Sequence, residues 1–384
     1  MTGADRDRRA LEEAIGALSL IDHHVHGAFR GPLDRMTFER SITESDRALA
    51  PGVTPFDSQV GFAILRWCAP ALGLPPHVSP EEYLARRAEL GPEETNRRLL
   101  GSSGVSHHLV DTGFATDELL DLRGMAASSG GQAREIVRLE SVAEEIARGE
   151  AGADGFAKTF LDRLHGRLEE GAVGTKSVVA YRHGFEFDPA RPEPGEVTRA
   201  ASAWLTAIGA GQRVRLTDPT LLRFLLWSGI DARLPMQLHV GFGDSDLHLA
   251  RANPLLLTDF IRLGEPSGTP ILLLHCYPYH REAGYLAHIY PNVFFDVGVA
   301  VNYLGAQSKQ LVAESLEVGP FGKQLFSTDA WGPAELHHLG AVLWRRAFSA
   351  VVGGWIEAGD WSLANALRVA SLIARQNAKR LYAL

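Results

Sequence analysis

Cysteine is scarce: Cys68 and Cys276 are the only two in 384 residues, and they lie far apart with no partner motif around either. A disulfide framework is therefore excluded, and both are expected as reduced thiols in packed positions. Long apolar runs are also missing. Stretches such as 14–21 and 270–274 fall well short of the roughly 20 residues that span a bilayer, so no membrane anchor is expected. Positive charge is in deficit, with a formal net charge of -8 and a pI near 6.0. Such a chain has no overall field to attract phosphate backbones or anionic lipid, which argues against nucleic-acid and membrane partners. The apolar run at 14–21 is preceded by Asp5, Asp7, Glu12 and Glu13 and followed by no small-residue cleavage site. It does not read as a secretory signal, and a cytoplasmic protein is expected. Internal repeats are absent, and low complexity is confined to the short turn 128–131.

What is present is the composition of an ordinary globular enzyme, 45% hydrophobic and 22% charged, long enough for one large domain or two modest ones. Eight short runs rich in β-formers, at 18–22, 108–112, 135–139, 172–181, 236–240, 271–275, 293–297 and 324–327, alternate with helical stretches. That alternation predicts an α/β fold of parallel βα units, and eight of them predict a TIM-type (β/α)₈ barrel over 1–384. Near-continuous hydrophobicity in the runs suits strands buried on both faces. A bare barrel needs roughly 250 residues, so the chain carries insertions. The largest, 28–105, contains helix-like pieces at 80–90 and 92–100 and follows the first strand; it is expected as a helical cap over the barrel mouth. The Pro-rich, acidic 187–196 reads as a surface loop before a helix at 197–210.

The strongest local signal is Asp22-His23-His24-Val25-His26, directly after an apolar run. On a strand of period two, His24 and His26 point to one side, so two imidazoles converge at the strand's C-terminal end. His239 closes the run 236–238, His275 closes 271–274, and Asp329 lies just past 325–327. A lone strand-end histidine is usually structural, but several strands ending in His or Asp beside a His-x-His point to a metal centre at the catalytic face of a barrel. Lys176 sits inside the apolar run 173–180. A buried lysine needs either a carboxylate partner or a lost charge. Two readings follow: an ion pair with Asp329 or another acid, or an uncharged amine that has added carbon dioxide to become a carbamate bridging two metals.

With these residues assembled, the chain resembles the amidohydrolase superfamily, whose pattern is His-x-His after strand 1, Lys on strand 4, His after strands 5 and 6, and Asp after strand 8. His24, His26, Lys176, His239, His275 and Asp329 match all six positions in order. Within it the chain is most similar to the amidohydrolase-2 branch and its FluG and nodulin type domain. The resemblance is carried by Thr175-Lys176-Ser177 through Tyr181-Arg182, by His239-Val240-Gly241-Phe242-Gly243-Asp244 with Asn253-Pro254, and by Tyr277-Pro278-Tyr279-His280-Arg281-Glu282. Phe326-Ser327-Thr328-Asp329-Ala330 and 376–382 add to it. In some relatives that domain is fused to glutamine synthetase, whereas here a single barrel is expected.

The resemblance implies a metal-dependent amidohydrolase acting on a small molecule. His24, His26 and Asp329 would hold one divalent ion, most plausibly zinc, His239 and His275 a second, and a carbamylated Lys176 would bridge them. Asp329 would move the proton from water to the leaving amine during cleavage of a carbon–nitrogen bond, amide or cyclic amide. Arg182, six residues beyond Lys176 and of the same strand parity, would clamp a substrate carboxylate; Tyr181, Asp244, His280 and Trp331 are further substrate-binding candidates. The branch also contains mononuclear, non-hydrolytic decarboxylases of aromatic or unsaturated acids, which is the alternative, and a barrel without turnover is a third reading. A homodimer is the default assembly.

Overall fold

The computed structural model describes residues 3–115, 117–149 and 152–384. Seven parallel strands run in sequential order: β1 (Leu20–Val25), β2 (Val105–Asp111), β3 (Gln132–Arg138), β4 (Gly174–Ser177), β5 (Met236–Val240), β6 (Ile271–His275) and β7 (Val293–Phe295). Helices on the outside connect them. The eighth wall is the irregular segment 324–330. It meets β7 through a bridge from Phe295 to Gln324 and a bond from Leu325 N to Phe295 O (3.0 Å). On its other side it meets β1, where His23 N reaches Phe326 O (3.2 Å), Asp329 N reaches His24 O (3.1 Å) and His26 N reaches Ala330 O (2.8 Å). The sheet is thereby closed as a (β/α)₈ barrel.

The eighth run does not form a regular strand because its amides go elsewhere. Phe326 N donates to Ile373 O (3.0 Å), and Thr328 N donates to the Asp22 carboxylate (3.0 Å). A strand ladder needs those donors, and their diversion leaves the segment extended but unpaired in register. β4 is likewise shorter than the run 172–181. After Ser177 the chain turns into one helical turn, Val179–Arg182, in which Ser177 Oγ accepts from Val179 N (3.1 Å). Strands β5 and β6 coincide with the expected 236–240 and 271–275.

Inward-facing Ile21, Leu109, Ile136, Leu272, Leu274, Phe294 and Leu325 fill the barrel, and Ala378 and Tyr382 of the terminal helix Asn377–Tyr382 pack among them. Leu273 and Ile271 on the other face of β6 belong to the layer between strands and helices. Both faces of the strands are thus buried, as their continuous hydrophobicity requires.

The span 28–105 divides by position. It comprises the helices Arg35–Ser41 and Gln59–Ala63, a π-helical turn Ile64–Cys68, a 3₁₀ turn Pro70–Leu72 and the long helix Pro80–Ser102. The last is capped by a Ser79–Glu82 capping box, and it breaks at Gly91 (φ 75°) before Pro92, where the sequence already separated 80–90 from 92–100. Pro80–Ser102 packs against the helices Leu122–Ser129 and Ala334–Ala358 in the outer ring. A buried ion pair from Arg87 to Glu335 (2.8 Å), with Tyr83 Oη also on Glu335 (2.9 Å), fixes that contact. Arg40 and 43–46, by contrast, line the cavity above the strand ends.

Candidate metal centre

At the C-terminal ends of the strands lies a cavity of about 690 Å³, with His26, Lys176, His239 and Asp329 among its lining residues. Asp329 is the hub. Its Oδ1 is 3.0 Å from His24 Nε2 and 3.7 Å from His26 Nε2, and its Oδ2 is 3.3 Å from His275 Nδ1. Ligand atoms of His24, His26 and Asp329 all lie within 4.8 Å of one another. Lys176 Nζ sits 3.4 Å from His24 Nε2, and the His239 and His275 rings are 4.6 Å apart. All six residues expected at the centre are therefore brought together.

Their orientation is fixed from behind. His24 Nδ1 donates to Gln237 Oε1 (2.8 Å) and His26 Nδ1 to the Asp111 carbonyl (3.2 Å), which leaves each Nε2 facing the centre. Holding the outer nitrogen sets the tautomer and aims the inner lone pair, as metal-binding histidines require. His239 Nε2 donates to Phe242 O (3.0 Å), leaving Nδ1 as its donor atom. Gly241 makes that loop possible: its φ is 74°, and a Cβ there would collide with the Tyr277 carbonyl oxygen.

Two of the residues sit in left-handed backbone, His275 at φ 68° and Asp329 at φ 50°. By strand parity His275 follows Ile271 and Leu273 outward; the change of backbone conformation at the strand end brings its imidazole to Asp329 instead. Asp296 holds that turn, accepting from His275 N (2.9 Å), Gly298 N (2.7 Å) and His23 Nε2 (3.0 Å). Strain of this kind, of order 1–3 kcal/mol per residue, persists where surroundings over-determine it and collects at functional sites.

Burial lowers the pKa of His24, His239 and His275 well below the ordinary imidazole value and that of His26 to about 4, so all four are neutral and able to ligate. Burial likewise brings Lys176 down to about 8 and pushes the Asp329 carboxyl up. For Asp111 burial works upward, but Arg138, whose Nη2 and Nε both donate to Oδ2 (2.7 and 3.0 Å), and His26 bring it down to about 2.

The donors fit a divalent first-row cation. Neither nitrogen of the fully buried His275 makes a hydrogen bond, despite the approach of Asp329 Oδ2. An orphaned buried polar atom costs about 1–3 kcal/mol, and a metal that takes the lone pair removes that cost. Imidazole nitrogens with a carboxylate suit zinc and its first-row neighbours. Gln237 tests this arrangement. It also donates to His23 O (2.7 Å) and Tyr382 Oη (2.8 Å), so its amide is locked. Gln237→Ala should weaken metal affinity by roughly 10- to 100-fold, the usual loss for an outer-shell partner, measured by competition with a chromogenic chelator. Unchanged affinity would mean that His24 needs no orienting partner.

The substrate-binding candidates fare unevenly. Tyr181 lines the cavity with its ring 4.5 Å from His239, and Trp331 lines it against Phe29 and Phe114. Asp244 also lines it. Arg182 reaches the cavity, but not by strand parity, because β4 has ended; its guanidinium is paired with Glu144 at 2.8 Å. His280 is a correction. It lies in the helix His280–Ile289 with Nε2 2.8 Å from Glu314, outside the residues that line the cavity.

The sequence reading passed over Gln237, Asp111, Arg138, Asp296 and Glu44. The first four carried the signal used for the others, a polar residue on the inward parity or at the end of a strand. Glu44 carried none, since it lies in the irregular insertion; it lines the cavity, and burial pushes its carboxyl up to about 7.

A family model for amidohydrolases matches residues 139–384. The FluG protein of Emericella nidulans is 29% identical over 284 residues, covering 71% of this chain and 33% of that protein, so the chain spans about a third of that relative's length. Among solved structures, one from Lactobacillus casei ATCC 334, named for an inferred metal-dependent hydrolase activity, superposes with a TM-score of 0.86 at 29% identity, covering 97% of both chains. A uronate isomerase from Bacillus halodurans C-125 superposes with a TM-score of 0.64 at 13% identity, covering 100% of this chain and 97% of that one, a likeness of fold alone. With a family match over well more than half its length and the six-residue constellation gathered at the barrel mouth, the chain belongs to the amidohydrolase family.

Proposed function

We propose that the protein is a metal-dependent hydrolase that cleaves a carbon–nitrogen bond, amide or cyclic amide, in a small carboxylate-bearing substrate. The observation that carries this reading is the place of Lys176, whose amine lies 3.4 Å from His24 Nε2 and on the inward face that β4 shares in register with Gln237 of β5. An amine at that place can add carbon dioxide with loss of one proton, and the resulting carbamate would supply an anionic oxygen donor to a cation held by the histidines. A divalent cation bound there, zinc in this proposal, supplies the charge that makes hydroxide available near neutral pH and polarises a carbonyl.

The chain's own groups do the rest. Asp329 takes a proton from water on a carboxylate oxygen and returns it to the departing amine, so that water is added across the broken bond. Phe114 and Trp331, edge to face at 5.6 Å, wall the cavity on one side and limit bulk water. Tyr181 covers His239. Arg40 and Arg213 line the cavity as exposed side chains without an acidic partner among the described residues, which favours a substrate bearing an anionic group. Arg182, already neutralised by Glu144, is the weaker clamp.

A second reading is favoured by one observation. Among the described residues, the ligand atoms that fall within 4.8 Å of one another come from His24, His26 and Asp329, a set for one cation. A single cation suits a non-hydrolytic decarboxylase. Turnover on paired panels separates the two. Amides and cyclic amides should release amine and acid without carbon dioxide, whereas carbon dioxide from the carboxylic acid panel, with the amides untouched, would replace hydrolysis by decarboxylation.

A further inference from the structure

A second cavity, of about 480 Å³, opens between the segment 59–77, the start of the helix Ser308–Ser315 and the middle of the helix Ala334–Ala358. It shares no lining residue with the metal cavity. Its charged lining is cationic: Arg66, Lys309 and Arg346 contribute to it, beside Gln59, His77 and Ser308, and no Asp or Glu does. The guanidinium carbons of Arg66 and Arg346 lie over the Trp67 ring, 4.1 and 4.0 Å from its centroid. Neither side chain is paired with a carboxylate among the described residues. Phe62, 60% exposed, and Leu343, Ala347 and Ala350 supply an apolar wall.

We propose that this cavity is a binding site for a small amphipathic anion, a carboxylate or phosphate carried on an apolar body. Two guanidinium groups held to one indole ring repel each other, and cation–π attraction to the ring offsets that only in part. An anion in the cavity would accept from the guanidinium N–H groups that line it. Burial and the proximity of Arg66 lower the Arg346 pKa, and the opposing pull of Glu12 is smaller. The local backbone is specialised as well. Arg66 and Trp67 stand on the π-helical turn Ile64–Cys68, and His77 takes a left-handed φ of 65°. Both features are expensive in ordinary packing and tend to mark sites. The volume falls within the roughly 300–1,000 Å³ of small-molecule pockets, and Phe62 with its neighbours offers the apolar contact that inorganic phosphate alone would leave unused.

Isothermal titration of the full-length protein with phenyl phosphate and with benzoate tests this, with phenol and inorganic phosphate as the apolar and anionic halves. One of the two amphiphiles should bind at one site per chain, and which one does distinguishes phosphate from carboxylate recognition. The isolated halves should bind more weakly. In Arg66→Gln/Arg346→Gln, affinity should fall roughly tenfold or more, as expected from losing charge-assisted hydrogen bonds. Circular dichroism and turnover should stay at the native level. Trp67→Phe should keep part of the affinity, and Lys176→Ala should leave it unchanged. Binding that survives in the double variant belongs elsewhere, and no binding of either amphiphile to the native protein removes the site. A double variant whose sedimentation coefficient drops would make this face a subunit contact instead.

Discussion

Stripping the protein with a chelator should abolish turnover, and adding back zinc or manganese should restore it. Four buried imidazoles held neutral are poor acids and bases in their own right near pH 7, and the outer nitrogens of His24, His26 and His239 are already committed to Gln237, Asp111 and Phe242. Asp329 has neutral imidazoles and the Lys176 amine around it, and a carboxylate such as Asp329 or Glu44 can take a proton from water but leaves the water's pKa near the bulk value. A bound divalent cation lowers the pKa of water from about 15.7 to about 7, so its removal should cost roughly a thousandfold or more in turnover. Elemental analysis of the protein before chelation should find at least one equivalent per chain. Full turnover in a protein free of metal, with no affinity for either ion, would end every metal-dependent reading of this cavity.

How far the sequence could be read depended on whether a residue obeyed strand geometry. Lys176, Gln237 and His239 lie on regular strands in register, so parity alone places them inward. β5 and β6 coincide with the runs 236–240 and 271–275 because each is a buried apolar run with breakers near its ends. His275 and Asp329 were found from their position just past such runs, yet their aim is set by left-handed backbone that no periodicity announces. Arg182 shows the same limit from the other side. The run 172–181 looks like one strand, but Ser177 Oγ and Glu140, which accepts from Val178 N (3.0 Å), draw the amides into a helical turn, and parity counting fails beyond that point. The insertion 28–105 is legible as an excess of chain, and the Gly91–Pro92 break falls between the helix-like pieces 80–90 and 92–100. Which part faces the cavity depends on contacts such as Arg87 to Glu335, between residues 248 apart, that a local pattern does not contain.

Lys176→Ala should cut turnover by orders of magnitude and, if two cations are held, bring the metal content toward one. A lysine buried to 2% exposure in the barrel wall has no solvent to stabilise its charge, and Asp329 is the hub of the ligand cluster rather than a dedicated partner. The two readings of this lysine separate in the variant. If it is a carbamate, alanine removes two oxygen donors. The His239–His275 pair then has no anion to offset the repulsion between two cations, and the second ion is lost with the activity it shared. If it is an ion-pair partner, alanine leaves Asp329 buried without its nearest cation, and stability falls while metal content holds. Formate or bicarbonate supplied to the variant distinguishes these further, since a small carboxylate can stand in for a carbamate but not for an ammonium group. Partial recovery of turnover with recovery of the second ion supports the bridged pair of metals and hydrolysis. Unchanged metal content and full activity would make Lys176 a structural residue, and the one-cation decarboxylase would take the place of the hydrolase.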